Sequence, residues 1–466
     1  MKTYFLLFSL LVWGNYISAQ CWQMVSGGIN HSAALQTNGS IWCWGGNAFA
    51  QIGDGTITNK NMPLQIGTAN DWKTIATGGN HTLAIKTGGT LWAWGYNSKG
   101  QIGNGTTTIQ PVPLQIGTDN DWKAVTAGNV HTIALKTNGT LWGWGYNSLG
   151  QLGDGTNIDK NIPVQIGTDT NWLKISTGDD YSLAIKSDGT LWEWGYNVYG
   201  QLGDGTTVNK NIPTQVGSDT DWKAMSGGLY HTIAVKNDGT LWSWGFNVVG
   251  ELGDGTFTNR TTPGQIGTDT NWFQVATGYD HSFAVKNDST LWGWGYNNNG
   301  QIGDGTIIDK NVPVQIGTMR CLYVSGGYAH TLAVDHNHQL MAWGKNTFGQ
   351  LGDNTYVNHS SPAPAAGDNC RQPNSILGLE EFKNSINIYP NPAKDILSVS
   401  FALAEPTSFE ICIMNATGQI KMLHTEKAKK AGMQQIKYAV STLNRGLYFI
   451  LIKTQKQICA TKIVLE

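Results

Sequence analysis

At 466 residues the chain is too long for one ordinary core, so it holds at least two folding units or one large repeat domain with an appendix. A formal charge of -2 with only 13% charged residues leaves no basic field to hold a phosphate backbone and argues against a nucleic-acid partner. The outliers are 59 glycines and 20 tryptophans, which supply tight turns and large buried faces.

The N-terminus reads Met1-Lys2-Thr3, an apolar run from Tyr4 to Trp13, and small residues at Ser18 and Ala19. These are the three parts of a secretory signal peptide over residues 1–20, with cleavage expected beside Ala19 or Gln20. The run is too short for a stable anchor, and no other segment is long and apolar enough to form a transmembrane span. Gln20 is not the small residue that lipid attachment to Cys21 requires. Export makes the six cysteines candidates for disulfides, and none shows the Cys-x-x-Cys spacing of zinc or thioredoxin chemistry.

From Trp22 onward a unit of about fifty residues recurs seven times. Its centre runs from Trp44 to Asn47, Trp94 to Asn97, Trp144 to Asn147, Trp194 to Asn197, Trp244 to Asn247 and Trp294 to Asn297, with a degraded copy at Trp343-Gly344-Lys345-Asn346. In the second unit, alternation predicts strands beginning at Trp72, His81 and Thr90, with a weaker outer strand at Pro113. Gly88-Gly89, Asn138-Gly139, Asp188-Gly189 and Asp238-Gly239 are dipeptides suited to two-residue hairpins. Four strands per unit, seven units and no helical period point to an all-β chain with a seven-bladed β-propeller over residues 21–370.

The order of motifs also resembles a known repeat. Gly128-Asn-Val-His131, then Leu141-Trp142-Gly-Trp144-Gly-Tyr-Asn147, then Gly150-Gln-Leu-Gly-Asp154-Gly-Thr156 is similar to the repeat of the regulator of chromosome condensation family, from about residue 21 to 367. The resemblance implies seven blades. Trp22 opens a unit with its first strand, and Ser361 to Ala365 ends the array on an outer strand, so the two ends are expected to complete one blade together. Cys21 and Cys370 would lie near that seam, where a bridge is expected; Cys412 and Cys459 are the further disulfide candidates.

Beyond Cys370 the tryptophans and the period stop. A linker over residues 371–383 leads to Tyr389-Pro390-Asn391-Pro392-Ala393-Lys394-Asp395 and, near the end, Gly446-Leu-Tyr448-Phe. These motifs are similar to the C-terminal sorting domain of the type IX secretion system. That resemblance implies a small β-sandwich over residues 384–466, read by the outer-membrane translocon of that system.

The regular residues read as scaffold. Tryptophans two apart, such as Trp92 and Trp94, share one strand face and recur in six units, with Met341 replacing the first of the pair in the seventh, as core residues do. His31, His81, His131, His231, His281 and His330 recur with Tyr181 in the fourth place, and equivalent blade positions stand too far apart to ligate one metal. Asp54 and its equivalents fit side-chain capping of a turn rather than a calcium loop. No nucleophile elbow, phosphate loop or His-Glu-x-x-His helix is present, and no cofactor or catalytic residue is assigned.

The informative positions are those that escape the repeat: the two residues before the histidine slot, Ile29-Asn30 through Tyr328-Ala329. Loops on one rim are where propellers bind partners, so Asp179, Asp180, Tyr230, Tyr279, Asp280 and Tyr328 form the expected binding patch. The resulting expectation is a non-enzymatic binding module, secreted or held at the outer-membrane surface, that recognises an extracellular protein or glycan. The rival readings are an inhibitor of a secreted or periplasmic enzyme, a carbohydrate-active enzyme, and a guanine-nucleotide exchange factor, the last disfavoured by export.

Overall fold

The computed structural model describes residues 21–366, 386–403, 407–415, 420–454 and 458–466. The chain divides into two compact units, Met1–Cys370 and Arg371–Glu466, and every regular element among the described residues is a strand.

The first repeat unit shows how the sequence makes a blade. Strands β1 (Trp22–Gly27), β2 (His31–Gln36), β3 (Ile41–Gly45) and β4 (Lys60–Gln65) pair as an antiparallel meander in that order. All six residues of β2 are buried, because both faces of a blade pack against neighbours. β4 is largely exposed, and its Pro63 sits on an outer edge where a missing ladder donor is tolerated.

The connection between the second and third strands differs from the expected two-residue hairpin. In the second blade Lys86 N donates to Thr90 O at 3.0 Å and Gly89 N to Lys86 O at 2.9 Å, which closes a three-residue loop. Only Gly89 takes a positive φ, +79°, and a Cβ there would meet Asn120 O at 2.0 Å. A turn ending in one left-handed residue therefore needs only the second residue of each dipeptide to be glycine.

The same meander recurs at 72–115, 122–166, 172–215 and 222–266. The last two blades share one sheet, because strand Lys310–Gly326 pairs first with Thr290–Gly295 and then with His330–Asp335. Seven blades result. The core lies between blades: Ala33, Leu35 and Ile41 of the first meet Trp72, Ile75 and Trp94 of the second.

Trp44, Trp94, Trp144, Trp194, Trp244, Trp294 and Trp343 are fully buried, each indole removing roughly 150–250 Å² from water. The first tryptophan of each pair departs from the expected core role. Trp42, Trp92 and their equivalents are half-buried, and Trp92 meets Trp72 edge-on at 5.7 Å.

Ring closure also differs from the expectation of a blade built from both termini. The first blade is wholly N-terminal, and the seventh runs from Cys321 to Pro364. They meet by packing: Tyr328 N donates to Gly28 O at 3.1 Å and Trp44 Nε1 to Gln350 O at 2.9 Å. The physical reason is that each unit begins on its own axial strand and ends on its own outer strand, so no strand need be borrowed.

The second unit is a sandwich. Strands Asn387–Tyr389, Ile396–Leu403 and Gly432–Ala439 form one sheet; Ile420–Lys429, Thr407–Asn415, Gly446–Thr454 and Ile458–Leu465 form the other. Leu397, Val399 and Phe401 share a core with Ile411, Ile413, Ile450 and Tyr448. Tyr389, Pro390, Asn391, Pro392 and Asp395 are exposed, and Gly446 opens its strand. The motif loop is fastened to the last strand: Val464 N donates to Asn391 Oδ1, and Ala393 N to Val464 O, both at 2.9 Å.

The register places the two C-terminal cysteines on different strands of one sheet. Cys412 lies opposite Leu451 and Cys459 opposite Ile452, with strand Gly446–Thr454 between the two cysteine strands. Cys21 is buried and disulfide-bonded, whereas Cys43 and Cys321 are free thiols; Cys370 lies outside the described residues.

Candidate functional site: the rim of the central opening

The histidine slot welds neighbouring blades. His31 Nε2 meets Thr82 Oγ1 at 3.0 Å, His131 meets Ser182 Oγ at 3.0 Å, His231 meets Ser282 at 2.8 Å, and His330 closes the circle on Ser32 at 3.0 Å. Each hydroxyl spends its hydrogen elsewhere: Thr82 Oγ1 donates to Gln51 O, Ser182 to Gln151 O and Ser32 to Gln350 O, at 2.7–2.8 Å. The imidazole must therefore donate from Nε2, and the buried Nδ1 of His31, His81, His131, His281 and His330 finds no acceptor for a second proton among the described residues. Burial agrees, pushing each of the six imidazoles down to about 3. These histidines are joints of the scaffold.

The Asp-Gly-Thr loops are equally satisfied. Asp154 Oδ1 accepts from Thr156 N at 2.9 Å and from Asn147 Nδ2 at 3.0 Å, while Lys160 Nζ lies 3.3 Å from Oδ2. Burial alone would raise this carboxyl, yet these partners hold it below its ordinary value. Among the described residues no group of histidine, cysteine and acidic side chains is arranged to hold a metal ion.

The variable loops form a second ring. The N–H of Ile29, Gly79, Asn129, Asp179, Leu229, Tyr279 and Tyr328 each donates to a carbonyl of the next blade, at 2.7–3.2 Å, around the axis. Backbone is thus fixed where side chains change. The ring surrounds an opening of about 180 Å³ walled by glycines and hydroxyls, with Asn129, Asp179 and Tyr279 at its margin.

The predicted residues gather on one half of this rim. Asp179 is 9% exposed, and burial with the charge of Asp180 raises it to about 7, against the pull of Tyr279 and Asn129. Asp180 and Asp280 are each raised by burial to about 6, the former despite a 3.2 Å bond from Gln151 Nε2. The Tyr279 and Tyr328 rings lie 4.8 Å apart. Tyr230 belongs to a separate aromatic group, 4.9 Å from Tyr199, 5.6 Å from Tyr196 and 6.2 Å from Phe246.

Tyr196, Tyr199, Phe246 and Glu251 escape the loop-by-loop reading because they come from the loops after the third strand. Glu251 holds the slot filled by glutamine in the other six units, is fully buried, and is raised to about 7 by burial, with Asp280 acting in the same sense. Glu193 is a further departure, a carboxyl buried in a slot that otherwise holds small residues and pushed by that burial well above its ordinary value. A slot-by-slot comparison of the units would have exposed both.

A repeated arrangement of different character occurs in five blades. Lys186 Nζ lies 4.6 Å and 4.1 Å from the rings of Trp172 and Trp192 and 2.6 Å from Asp169 Oδ2; Lys136, Lys236 and Lys286 repeat it with Asp119, Asp219 and Asp269, and Lys86 does so with Asp71. It clamps the two tryptophans of each pair.

Comparison with known proteins follows this division. The family model of the RCC1-like domain matches residues 14–273, and RCC1 repeat models match residues 288–334 and, in a second form, 274–301 and 323–350. The secretion system C-terminal sorting domain matches residues 387–466. Among solved structures, human WBSCR16 aligns at 19% identity and a TM-score of 0.63, covering 70% of this chain and 94% of its own. Prp20p from Saccharomyces cerevisiae aligns at 20% identity and a TM-score of 0.63, covering 79% of this chain and 90% of its own. No curated protein matches the chain.

Proposed function

The chain belongs to the RCC1-like domain family, and from that premise we propose that it is a binding module, secreted or held at the outer-membrane surface, whose ligand is an extracellular protein or glycan. Its C-terminal sorting domain implies handling by the type IX secretion system. The single observation that carries the binding reading is the contrast on the rim: seven backbone bonds of one kind hold loops whose side chains obey no repeat. A rigid ring that presents Asp179, Tyr230, Tyr279 and Tyr328 is built to position a recognition surface. The role is recognition rather than turnover, since the polar residues that recur are consumed in joints between blades.

Two measurements test this. Fractionation of the native host is expected to place the full chain in the medium or outer membrane and a variant lacking residues 384–466 in the periplasm. An array of glycans and extracellular proteins is expected to yield a ligand whose binding is lost in the Tyr230→Ala, Tyr279→Ala and Tyr328→Ala triple variant. A ligand bound equally by that variant would reject the rim as the surface.

A further inference from the structure

Three carboxyl groups stand on the rim, Asp179, Asp180 and Asp280, with the buried Glu251 beside Asp280, and among the described residues none forms an ion pair. The loop aspartates contrast sharply, with Asp204 held by Lys210 at 3.1 Å and Asp304 by Lys310 at 3.0 Å. Asp179 is the extreme case. Nine-tenths buried, it lines the central opening; Tyr279 and Asn129 bond the carboxyl group, yet its Oδ1 is left without a hydrogen-bond partner among the described residues. A carboxylate withdrawn from water without a counter-charge is costly, so such a group is expected to be completed by something outside the chain.

The surroundings select the kind of completion. Tyr279 reaches Asp179 through its hydroxyl, its ring lies 4.8 Å from that of Tyr328, and aromatic ring faces attract ammonium and guanidinium groups. Lys345 Nζ already stands 6.0 Å from the Tyr328 centroid, an example from the chain itself. An opening of about 180 Å³ admits a side chain but not a folded domain. A neutral sugar could donate to Asp179 Oδ1, yet it would leave the clustered acids uncompensated.

We propose that this half of the rim seats a basic side chain, a lysine ammonium or arginine guanidinium presented by a partner polypeptide, with Asp179 as counter-charge and Tyr279 and Tyr328 as the aromatic wall. The inference rests on the binding-module reading and names its ligand chemistry. The titratable groups that face Asp179 are Asp180, Asp280, Tyr181, Tyr230 and Tyr279, with Tyr328 beside Tyr279, Glu251 beside Asp280 and Lys345 beside Tyr328. Burial keeps the acids partly protonated near neutral pH, so a bound cation must displace protons and affinity weakens as pH falls from 8 to 5.

The test is calorimetric titration of the mature full chain with decalysine, spermidine and maltohexaose. Decalysine is expected to bind saturably at pH 8 and at least tenfold more weakly at pH 5. It should bind at least tenfold more weakly to Asp179→Asn/Asp280→Asn, but unchanged to Asp119→Asn/Asp169→Asn, which removes the same charge elsewhere. Tyr328→Ala, at an exposed site, guards against a folding artefact and is expected to lose at least threefold. Equal weakening in both aspartate variants, or no decalysine binding, would overturn the proposal. Spermidine binding as tight as decalysine would overturn the polypeptide assignment. A maltohexaose or array ligand that depends on the rim, without decalysine binding, would remove this inference while leaving the binding-module reading in place.

Discussion

The Tyr181 hydroxyl meets Thr232 Oγ1 at 3.1 Å, reproducing with a phenol the joint that His131 Nε2 makes with Ser182 Oγ at 3.0 Å one blade earlier. The slot requires a ring that carries a polar atom at a set reach, and it requires neutrality. Replacing His131 with tyrosine is therefore expected to cost less than about 1.5 kcal/mol. His131→Ala, which opens a cavity and removes the joint, should cost about 2–4 kcal/mol. Thermal unfolding of the two variants checks the difference; equal losses would mean that the joint does not matter.

Gly128 is placed so that this joint can form. A Cβ on Gly128 would lie 2.2 Å from His131 Cε1 and 2.6 Å from the carbonyl oxygens of both Gly178 and Asp179, and backbone cannot yield as a flexible side chain can. Gly128→Ala is expected to lower the unfolding free energy by roughly 1–3 kcal/mol through overpacking. Calorimetry that finds no change would show that the ring spreads more easily than its bonds suggest.

Much of this architecture was legible because a blade is local. Trp72, His81 and Thr90 mark three successive strands, and the hairpin glycines punctuate them, so the blade count follows from counting Trp-Gly-x-Asn motifs. Closure was not legible, because phase along the chain does not say which strand of a unit lies at the axis. The rim was half legible. Asp179 and Tyr279 stood out as departures from the repeat, but Tyr199 and Tyr230 become neighbours only when adjacent blades bring two different loops together. Glu251 was visible as the one acid among six glutamines, and its meaning came only with its burial.

Lys186 sits between Trp172 and Trp192 with Asp169 and is among the best enclosed of the five clamps. Lys186→Met keeps the stem and removes the charge. The expected loss is about 1–2 kcal/mol, the range of a partly desolvated cation–π contact, and it should shrink little in high salt. Unfolding measured at low and high salt separates this from a surface ion pair, which salt would screen away.

Cys21 is disulfide-bonded at the head of the first blade, while Cys43 and Cys321 are free. Peptide mapping under non-reducing conditions is expected to recover Cys21 joined to Cys370, which would tie the first strand to the segment that leaves the seventh blade. Recovery of Cys370 as a free thiol would reject the pairing. Reduction should then lower the unfolding midpoint, since in the chain-entropy model a loop of this length constrains the unfolded chain by roughly 5–6 kcal/mol before native strain is subtracted.

Glu251 gives the propeller a pH dependence whose sign follows from its environment. Burial lifts the carboxyl from an ordinary 4.5 to about 7 in the folded protein. Between those values the folded state holds a proton that the unfolded state releases, so this group makes stability fall as pH rises from about 4.5 through 7. Glutamine, which occupies the slot in the other six blades, does not titrate. Glu251→Gln is therefore expected to stabilise by about 3 kcal/mol at pH 8 and by progressively less toward pH 5, since a tenfold change in proton affinity is worth about 1.4 kcal/mol. The imidazoles, depressed to about 3, act in the opposite sense in both proteins and cancel from the comparison. Denaturant titrations of the two proteins at pH 5, 6, 7 and 8 measure the difference; a gain that does not change with pH would show that Glu251 is ionised throughout and paired by a group beyond those described.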